Sequence, residues 1–357
     1  MVPIKAWRVE LTMKTLERSW IQGALLPFSY PYGWLMGFRN MLYDREYLEI
    51  HRLPRPVVCV GNLTWGGTGK TPLVQWIAEK LLREKRKVAL LTRGYGRSLN
   101  KLILSCPGDV PHFLNVGDEP AMVKEKLPDL WMGVYRDRFC AAREILKREN
   151  VDLFLMDDGF QHRSLFRDLD LVVLRVSSSL RDRRLIPAGA LRETFRQGLS
   201  RAHGILFNET DQEVSPELLE LVSRFSRRLF RFTMMPGAVV LRPSGHPLQR
   251  KSSVPIRAVL LSGIGSPQSF QSCAESLGVE CLEHSIFADH HRFDERDLAR
   301  VTDSFVRRKA DLLLTTEKDW QRLRHLPCEV PLATLGLKIR FHEEDGMALL
   351  DLIQQRT

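Results

Sequence analysis

PVVCVGNLTWGGTGKTPLVQWIAEKLL, Pro56 to Leu82, reads as a short buried strand, a glycine-rich turn and an amphipathic helix opening at Lys70-Thr71. That succession builds a phosphate site. Glycines let the backbone N–H groups of Gly66, Gly67, Thr68 and Gly69 converge on one point, and the helix N-terminus adds its positive dipole end. Lys70 then reaches the β- and γ-phosphates of a nucleotide, and the Thr71 hydroxyl is set to ligate Mg2+. The strict pattern G-x-x-x-x-G-K-[ST] puts glycine at position 64, where this chain has Thr64. Strand, turn and helix still stand where the motif requires. An ordinary strand–helix turn would not need both Lys70 and Thr71.

The chain of 357 residues is long enough for two domains, and its 44% hydrophobic and 27% charged residues are those of a globular protein. Lys plus Arg (53) less Asp plus Glu (43) leaves +10, which favours an anionic partner: nucleotide, nucleic acid or an anionic membrane surface. Cys59, Cys106, Cys140, Cys273, Cys281 and Cys328 form no C-x-x-C pair, so neither a zinc site nor a dithiol motif is expected. Cys59, within VVCVG, reads as a small core residue, in keeping with a reducing compartment. The first apolar run follows a charged segment and lacks a small-residue cleavage site, so no secretory signal is expected.

Residues 1–55 differ from the rest. Val9, Met13, Leu16 and Trp20 make one apolar helical stripe. From Ser19 to Phe38 no residue is charged; the run carries Trp20, Phe28, Tyr30, Tyr32, Trp34 and Phe38, bracketed by Arg18 and Arg39. It has the length of a spanning helix, but Gly23, Pro27, Pro31, Gly33 and Gly37 interrupt it. The preferred reading is an interfacial element, with aromatic rings at headgroup level and basic residues toward anionic lipid. A helical hairpin packed on the protein's own core is the alternative.

After the glycine-rich turn, KVALLT (Lys87–Thr92), Trp131–Tyr135, VDLFLM (Val151–Met156), Asp170–Leu174 and Gly204–Phe207 read as strands, with a helix over about 137–149. Continuous apolar strands alternating with helices predict a mostly parallel sheet covered on both faces, a P-loop NTPase-like α/β fold. Ligands gather at the C-terminal ends of such strands, where the polar motifs fall. A second block holds strands at Ala258–Leu261 and Asp311–Thr315. The division expected is 1–55 as a membrane-associating helical segment, 56–235 as the P-loop domain, and 236–357 as a smaller α/β domain whose C-terminal helix packs back on the first.

Asp157-Asp158, ending an apolar strand, is the expected second half of the P-loop site, where a carboxylate holds Mg2+ directly or through water. It opens DDGFQH, in which His162 reads equally as a substrate contact or a structural residue. Asp118 and Glu119, in VGDEPAM, read alone as acids favoured by a helix N-terminus, or as a general base for a substrate hydroxyl. ADHHRF sets Asp289 beside His290 and His291, where a carboxylate can orient an imidazole. Arg181, Arg183, Arg184 and Arg192 populate RDRRLIPAGALRE, a loop suited to an anionic substrate or merely solvated.

Taken in order, VGNLTWGGTGKTP, RGYGR, VGDEP, DDGFQH, PAGALRE, GIGSP, FADHHRF and TEKDW, over residues 60–320, resemble the lipid A 4'-kinases (tetraacyldisaccharide 4'-kinases) of Gram-negative bacteria. The resemblance implies ATP-dependent phosphorylation of the 4'-hydroxyl of a tetraacylated glucosamine disaccharide 1-phosphate, giving the bis-phosphorylated lipid A precursor lipid IVA. It implies that Lys70 neutralises the transferred group and that Thr71 with Asp157 or Asp158, and secondarily Glu119, holds Mg2+. Asp118 matches the family's catalytic aspartate, His290 its histidine partner, and Arg192 and Glu193 its headgroup contacts. Because Asp118 and His290 fall in different predicted domains, closure is expected to assemble the pair. A substrate with four acyl chains implies a peripheral or monotopic enzyme on the cytoplasmic side of the bacterial inner membrane, with no nucleic acid partner. Two other classes fare worse. A GTPase-like switch needs [NT]-K-x-D, and TEKDW puts Asp319 directly after Lys318; a nucleic-acid binder lacks any RNP, zinc or helix-turn-helix signature.

Overall fold

The computed structural model describes residues 4–176, 183–226, 228–248 and 254–357, with side chains from residue 22 onward. The side chains of Val9, Met13, Leu16, Arg18 and Trp20, and all of Arg181, lie outside what the structure describes.

Val57–Asn62 (β1) forms because VVCV is a continuous β-branched and apolar run, and all six of its residues are buried. It pairs in parallel with Leu153–Asp157 (β5) on one side and Leu169–Arg175 (β6) on the other. Val88–Thr92 (β2) and Trp131–Val134 (β4) extend the sheet past β5, and Ile103–Ser105 (β3) closes that edge antiparallel. Beyond β6 comes Gly204–Asn208 (β7), again parallel. Alternate residues of β1 serve opposite layers. Val58 and Val60 join Leu73, Val74 and Ile77 of the helix Lys70–Arg83 (α2). Val57 and Cys59 join Ala141, Ala142 and Ile145 of the helix Arg138–Leu146 (α5). Both faces are therefore dry, as a parallel sheet requires.

The sheet does not stop there. Leu229–Arg242 (β8) pairs in parallel with β7 and antiparallel with Leu332–Phe341 (β12), from Phe232↔Phe341 to Arg242↔Leu332 with a register shift between Leu335 and Leu337. Leu312–Thr316 (β11), Ile256–Ser262 (β9) and Val279–Ile286 (β10) then follow β12 in parallel. Among the described residues the result is one twelve-stranded sheet of two blocks, parallel apart from edge strand β3, that run in opposite senses. Residue 236 lies inside β8, and the helix Asp345–Gln354 sets Leu349, Leu352 and Ile353 into the same core as α2. Helices Pro267–Ser276 and Glu295–Arg308 cover opposite faces of the second block, through Phe270 and Ala274 on one side and Leu298 and Val301 on the other.

The N-terminal segment is one helix, Ile4–Asp44 (α1), running through Pro27 and Pro31 rather than breaking at them. Its glycines are docking points: a Cβ on Gly33 would lie 2.6 Å from Leu185, and one on Gly37 would lie 2.9 Å from Gln197. Ser29 donates to the Leu185 carbonyl at 2.8 Å, Tyr32 to the Arg192 carbonyl at 2.9 Å, and Asn40 to Glu193 at 3.1 Å. Arg39 turns inward as well, donating to the Gln161 carbonyl at 2.6 Å instead of facing outward as the sequence suggested. Among the described residues no helix is long and apolar enough to cross a membrane.

Gly61 ties β1 to the DDGFQH loop. A Cβ there would sit 2.4 Å from the Cβ of fully buried Phe160. Gly61→Ala is expected to cost about 1–3 kcal/mol by overpacking, read as a lower urea midpoint with an unchanged slope.

Candidate active site

The turn between β1 and α2 is held from below by two strand-end asparagines. Asn62 donates to the Thr64 carbonyl at 2.7 Å and to Thr68 Oγ1 at 3.1 Å; Asn208, ending β7, donates to the Thr68 carbonyl at 3.0 Å. Gly69 precedes α2 with φ +88°, a left-handed geometry that favours glycine, and its missing Cβ leaves room for the Asn208 amide 2.8 Å away. Nothing lies within 4 Å of where Gly66 or Gly67 would carry a Cβ, so that side of the turn is open.

At the mouth of the turn Lys70 Nζ lies 3.5 Å from Asp158 Oδ1, and Arg192 lies 3.1 Å from the same oxygen. Burial alone would raise the Asp158 carboxyl, but Lys70 and Arg192 outweigh it and hold the group below the usual carboxylate range. Thr71 Oγ1 donates to Glu119 Oε2 at 2.8 Å and stands 3.3 Å from Asp157 Oδ2. Asp157 is in the opposite state to its neighbour. Burial first, then Glu119 and Asp158, push its carboxyl up to about 7, and its Oδ1 is buried with no hydrogen-bond partner.

That orphaned oxygen, the Thr71 hydroxyl and the Glu119 and Asp158 carboxylates are hard oxygen donors of the kind Mg2+ takes. Among the described residues no three ligating side chains form a closed metal cage. Mg2+ at phosphate sites needs none, since one or two carboxylates suffice when phosphate and water complete the shell.

Asp118 begins the helix Asp118–Lys126 (α4), after Gly117 at φ +97°. Its Oδ1 accepts the Glu119 N–H at 2.9 Å, and its Oδ2 meets His290 Nδ1 at 2.9 Å. Burial would raise the Asp118 carboxyl, but the His290 bond, then Lys318 and Arg322, bring it below its ordinary value. His290 is raised, chiefly by its bond to Asp118 and against the effect of its own burial. Its ring also leans on Tyr95 of RGYGR, centroids 5.3 Å apart. Residues following β2 and β10 therefore meet at one point.

The other sequence candidates sort themselves out. Glu193 is buried and saturated: it accepts Arg201 at 2.9 Å, Asn40 at 3.1 Å and Gln161 at 3.2 Å. Arg192 reaches Gln161 Oε1 at 3.2 Å besides Asp158. His162 Nε2 is 3.3 Å from Ser164 Oγ, and burial, with Arg138 nearby, pushes its imidazole down to about 4. Asp289 is exposed, 3.9 Å from His290 Nε2. Within the basic loop Arg184 bonds Gln22 at 2.9 Å, and Arg183 lies over the Phe195 ring. Sequence reading missed Asn62 and Asn208, although a polar residue ending an apolar strand was the available signal.

A family model described as tetraacyldisaccharide-1-P 4'-kinase matches residues 21–356. The chain belongs to that family. Related tetraacyldisaccharide 4'-kinases include that of Bdellovibrio bacteriovorus, 31% identical over 89% of this chain and 97% of its own. That of Aquifex aeolicus is 34% identical over 92% and 98%, and that of Syntrophobacter fumaroxidans 37% over 90% and 84%. A crystal structure of the "apo" form of LpxK from Aquifex aeolicus in complex with ATP superposes with a TM-score of 0.74 at 27% identity, covering 93% of this chain and 98% of that one. As a tetraacyldisaccharide 4'-kinase the protein is an enzyme, a phosphotransferase with an alcohol acceptor.

The Asp157 carboxyl carries a pH signature. Its ordinary value is 3.8 and its folded value about 7, so ionising it in the folded kinase is uphill. Stability tied to this group is full below the unfolded value and lost as pH rises through 7. Metal-free D157N is expected to unfold at higher urea than wild type at about pH 8, an advantage that shrinks as pH falls toward 4.

Proposed function

We propose that the kinase transfers the γ-phosphoryl group of ATP to the 4'-hydroxyl of a tetraacylated glucosamine disaccharide 1-phosphate, with Asp118 and His290 as the base pair. The observation that carries this reading is the 2.9 Å bond between those two side chains, beside the P-loop lysine and threonine. The ATP complex of the Aquifex aeolicus relative supports the choice of nucleotide.

In the proposed step the sugar oxygen attacks the γ-phosphorus, the bond to the β–γ bridging oxygen breaks, and the hydroxyl proton passes to Asp118. Asp118 is ionised at neutral pH and can accept that proton, and His290, bonded to its Oδ2, holds the carboxylate in place for the transfer. Lys70 exchanges Asp158 for phosphate oxygens and balances their charge. Thr71, Asp157 and Glu119, with Asp158 in reach, would hold Mg2+, which when bound supplies charge neutralisation and orientation of the phosphates. Arg192, kept in place by Asp158 and Gln161, faces the anionic acceptor, and Glu193 supports that loop from within. The division at about residue 236 is proposed as functional: the blocks joined by β8 and β12 hold Asp118 and His290 together beside the nucleotide site and exclude water from the transfer.

We also propose that α1 lies on the cytoplasmic face of the bacterial inner membrane. Phe28, Trp34, Leu35 and Phe38 are exposed on the helix, with Trp34 and Phe38 stacked at 5.6 Å, while Ser29, Tyr32 and Asn40 bond the protein body. An apolar aromatic stripe beside a net charge of +10 suits an anionic bilayer.

The direct test is transfer of label from γ-labelled ATP to tetraacyl disaccharide 1-phosphate in detergent. Wild type is expected to label the lipid and D118A to lose about 10²–10⁴-fold, the range for a general base. ATP hydrolysis without labelled lipid would refute the assignment. W34S/F38S is expected to bind phosphatidylglycerol vesicles at least about tenfold more weakly, or 1.4 kcal/mol, measured by co-sedimentation; unchanged binding would remove α1 as the anchor.

A further inference from the structure

TEKDW follows β11 as the helix Glu317–Leu323, and the proposed chemistry gives it no part. Two side chains of this helix brace the loops around His290, Asp319 through the Gly263 turn and Arg322 through both that turn and the His290 loop. Asp319, fully buried, accepts the Gly263 N–H at 3.1 Å and the Thr316 hydroxyl at 2.6 Å. Arg322, paired with Asp319, donates to the carbonyls of His291 and Gly263, each at 2.8 Å. The loop needs such a grip, because His290 itself is held at φ +59°, the left-handed region that a side chain resists.

Lys318 faces the imidazole. Its Nζ lies 3.3 Å from His290 Nε2 and 3.4 Å from Asp289 Oδ1, within hydrogen-bond reach, and forms an ion pair with Glu119 Oε1 at 3.5 Å. An ammonium donates and never accepts, whereas a neutral imidazole has one N–H and one lone pair. In the neutral ring Nε2 therefore presents its lone pair to Lys318, which leaves the proton on Nδ1, directed at Asp118 Oδ2 2.9 Å away. The other tautomer would set an N–H against an ammonium and a lone pair against a carboxylate.

We propose that Lys318 is the positioning residue of the base pair, fixing His290 in the tautomer that donates Nδ1–H to Asp118. This rests on the reading of Asp118 and His290 as the base pair. Lys318 acts through the imidazole, and its contact with Glu119 ties that orientation to the first turn of α4, where Asp118 sits.

The first test is 15N NMR of the wild-type enzyme labelled at histidine, with the His290 signals assigned by their loss in H290A. In the neutral ring Nε2 is expected to be the unprotonated nitrogen; a proton on Nε2 overturns the proposal. The second is kinetic. K318M is expected to lower kcat about 10- to 100-fold, the scale on which an imidazole's outer partner matters at metal sites, with KM for ATP within about twofold. K318R, which keeps donors, is expected to recover part of the loss. In an H290A background K318M should cost nothing further. A loss of the same size there would mean that Lys318 acts on the phosphates, and the proposal fails while the base pair stands. Full turnover by H290A would instead sink the base pair itself, and the inference with it.

Discussion

Asp118 and His290 stand 172 residues apart in the chain and share one hydrogen bond. That bond depends on the antiparallel pairing of β8 with β12, the only reversal between the two parallel blocks of the described sheet. Each block follows the rule that ligand groups collect beyond the carboxyl ends of parallel strands. Lys70 and Asp158 come after β1 and β5; Gly263, His290 and Lys318 come after β9, β10 and β11. The β8–β12 ribbon lets the two sets of strand ends share one site. Backbones come close there, with Gly237 against Gly336 and the Glu317 carboxylate occupying the space of a Gly336 side chain.

The site is assembled against its own electrostatics. Asp157, Asp158 and Glu119 crowd around the first turn of α2, and one result is a carboxyl pushed up to about 7 with an unpartnered oxygen. Lys70, Arg192 and Lys318 partly compensate, each resting on a carboxylate. Such an arrangement sacrifices stability in the empty enzyme, the usual trade at functional sites. Asp118 stays ionised despite its burial because His290, Lys318 and Arg322 surround it, whereas burial, then Glu119 and Asp158, raise Asp157.

Much of this was legible in the sequence, for local reasons. VVCV and VDLFLM are continuous apolar runs whose only economical placement is the middle of a parallel sheet, and GGTGKT between strand and helix declares its use. Asp118 and His290 could be paired only through family resemblance, since nothing local says that the start of α4 and the loop after β10 meet. β8 and β12 escaped notice because β8 is mostly half-buried and interrupted by Pro236 and Gly237, β12 is buried only over its first half, and their register is set by partners about a hundred residues away. Pro27 and Pro31 read as helix breakers, yet α1 continues through them because its side-chain bonds and close glycine contacts with the body outweigh the lost N–H groups. Lys318 was visible only as a member of TEKDW; that its ammonium points at an imidazole is a tertiary fact.

The central claim is that residues from two oppositely running blocks act as one base. The most direct measurement is a cycle of D118A, H290A and the double variant on kcat/KM for phosphoryl transfer to the lipid. Residues acting as a unit give a double loss little larger than that of D118A alone. Losses that multiply would contradict the account, since each side chain would then contribute separately and their hydrogen bond would be incidental to the chemistry.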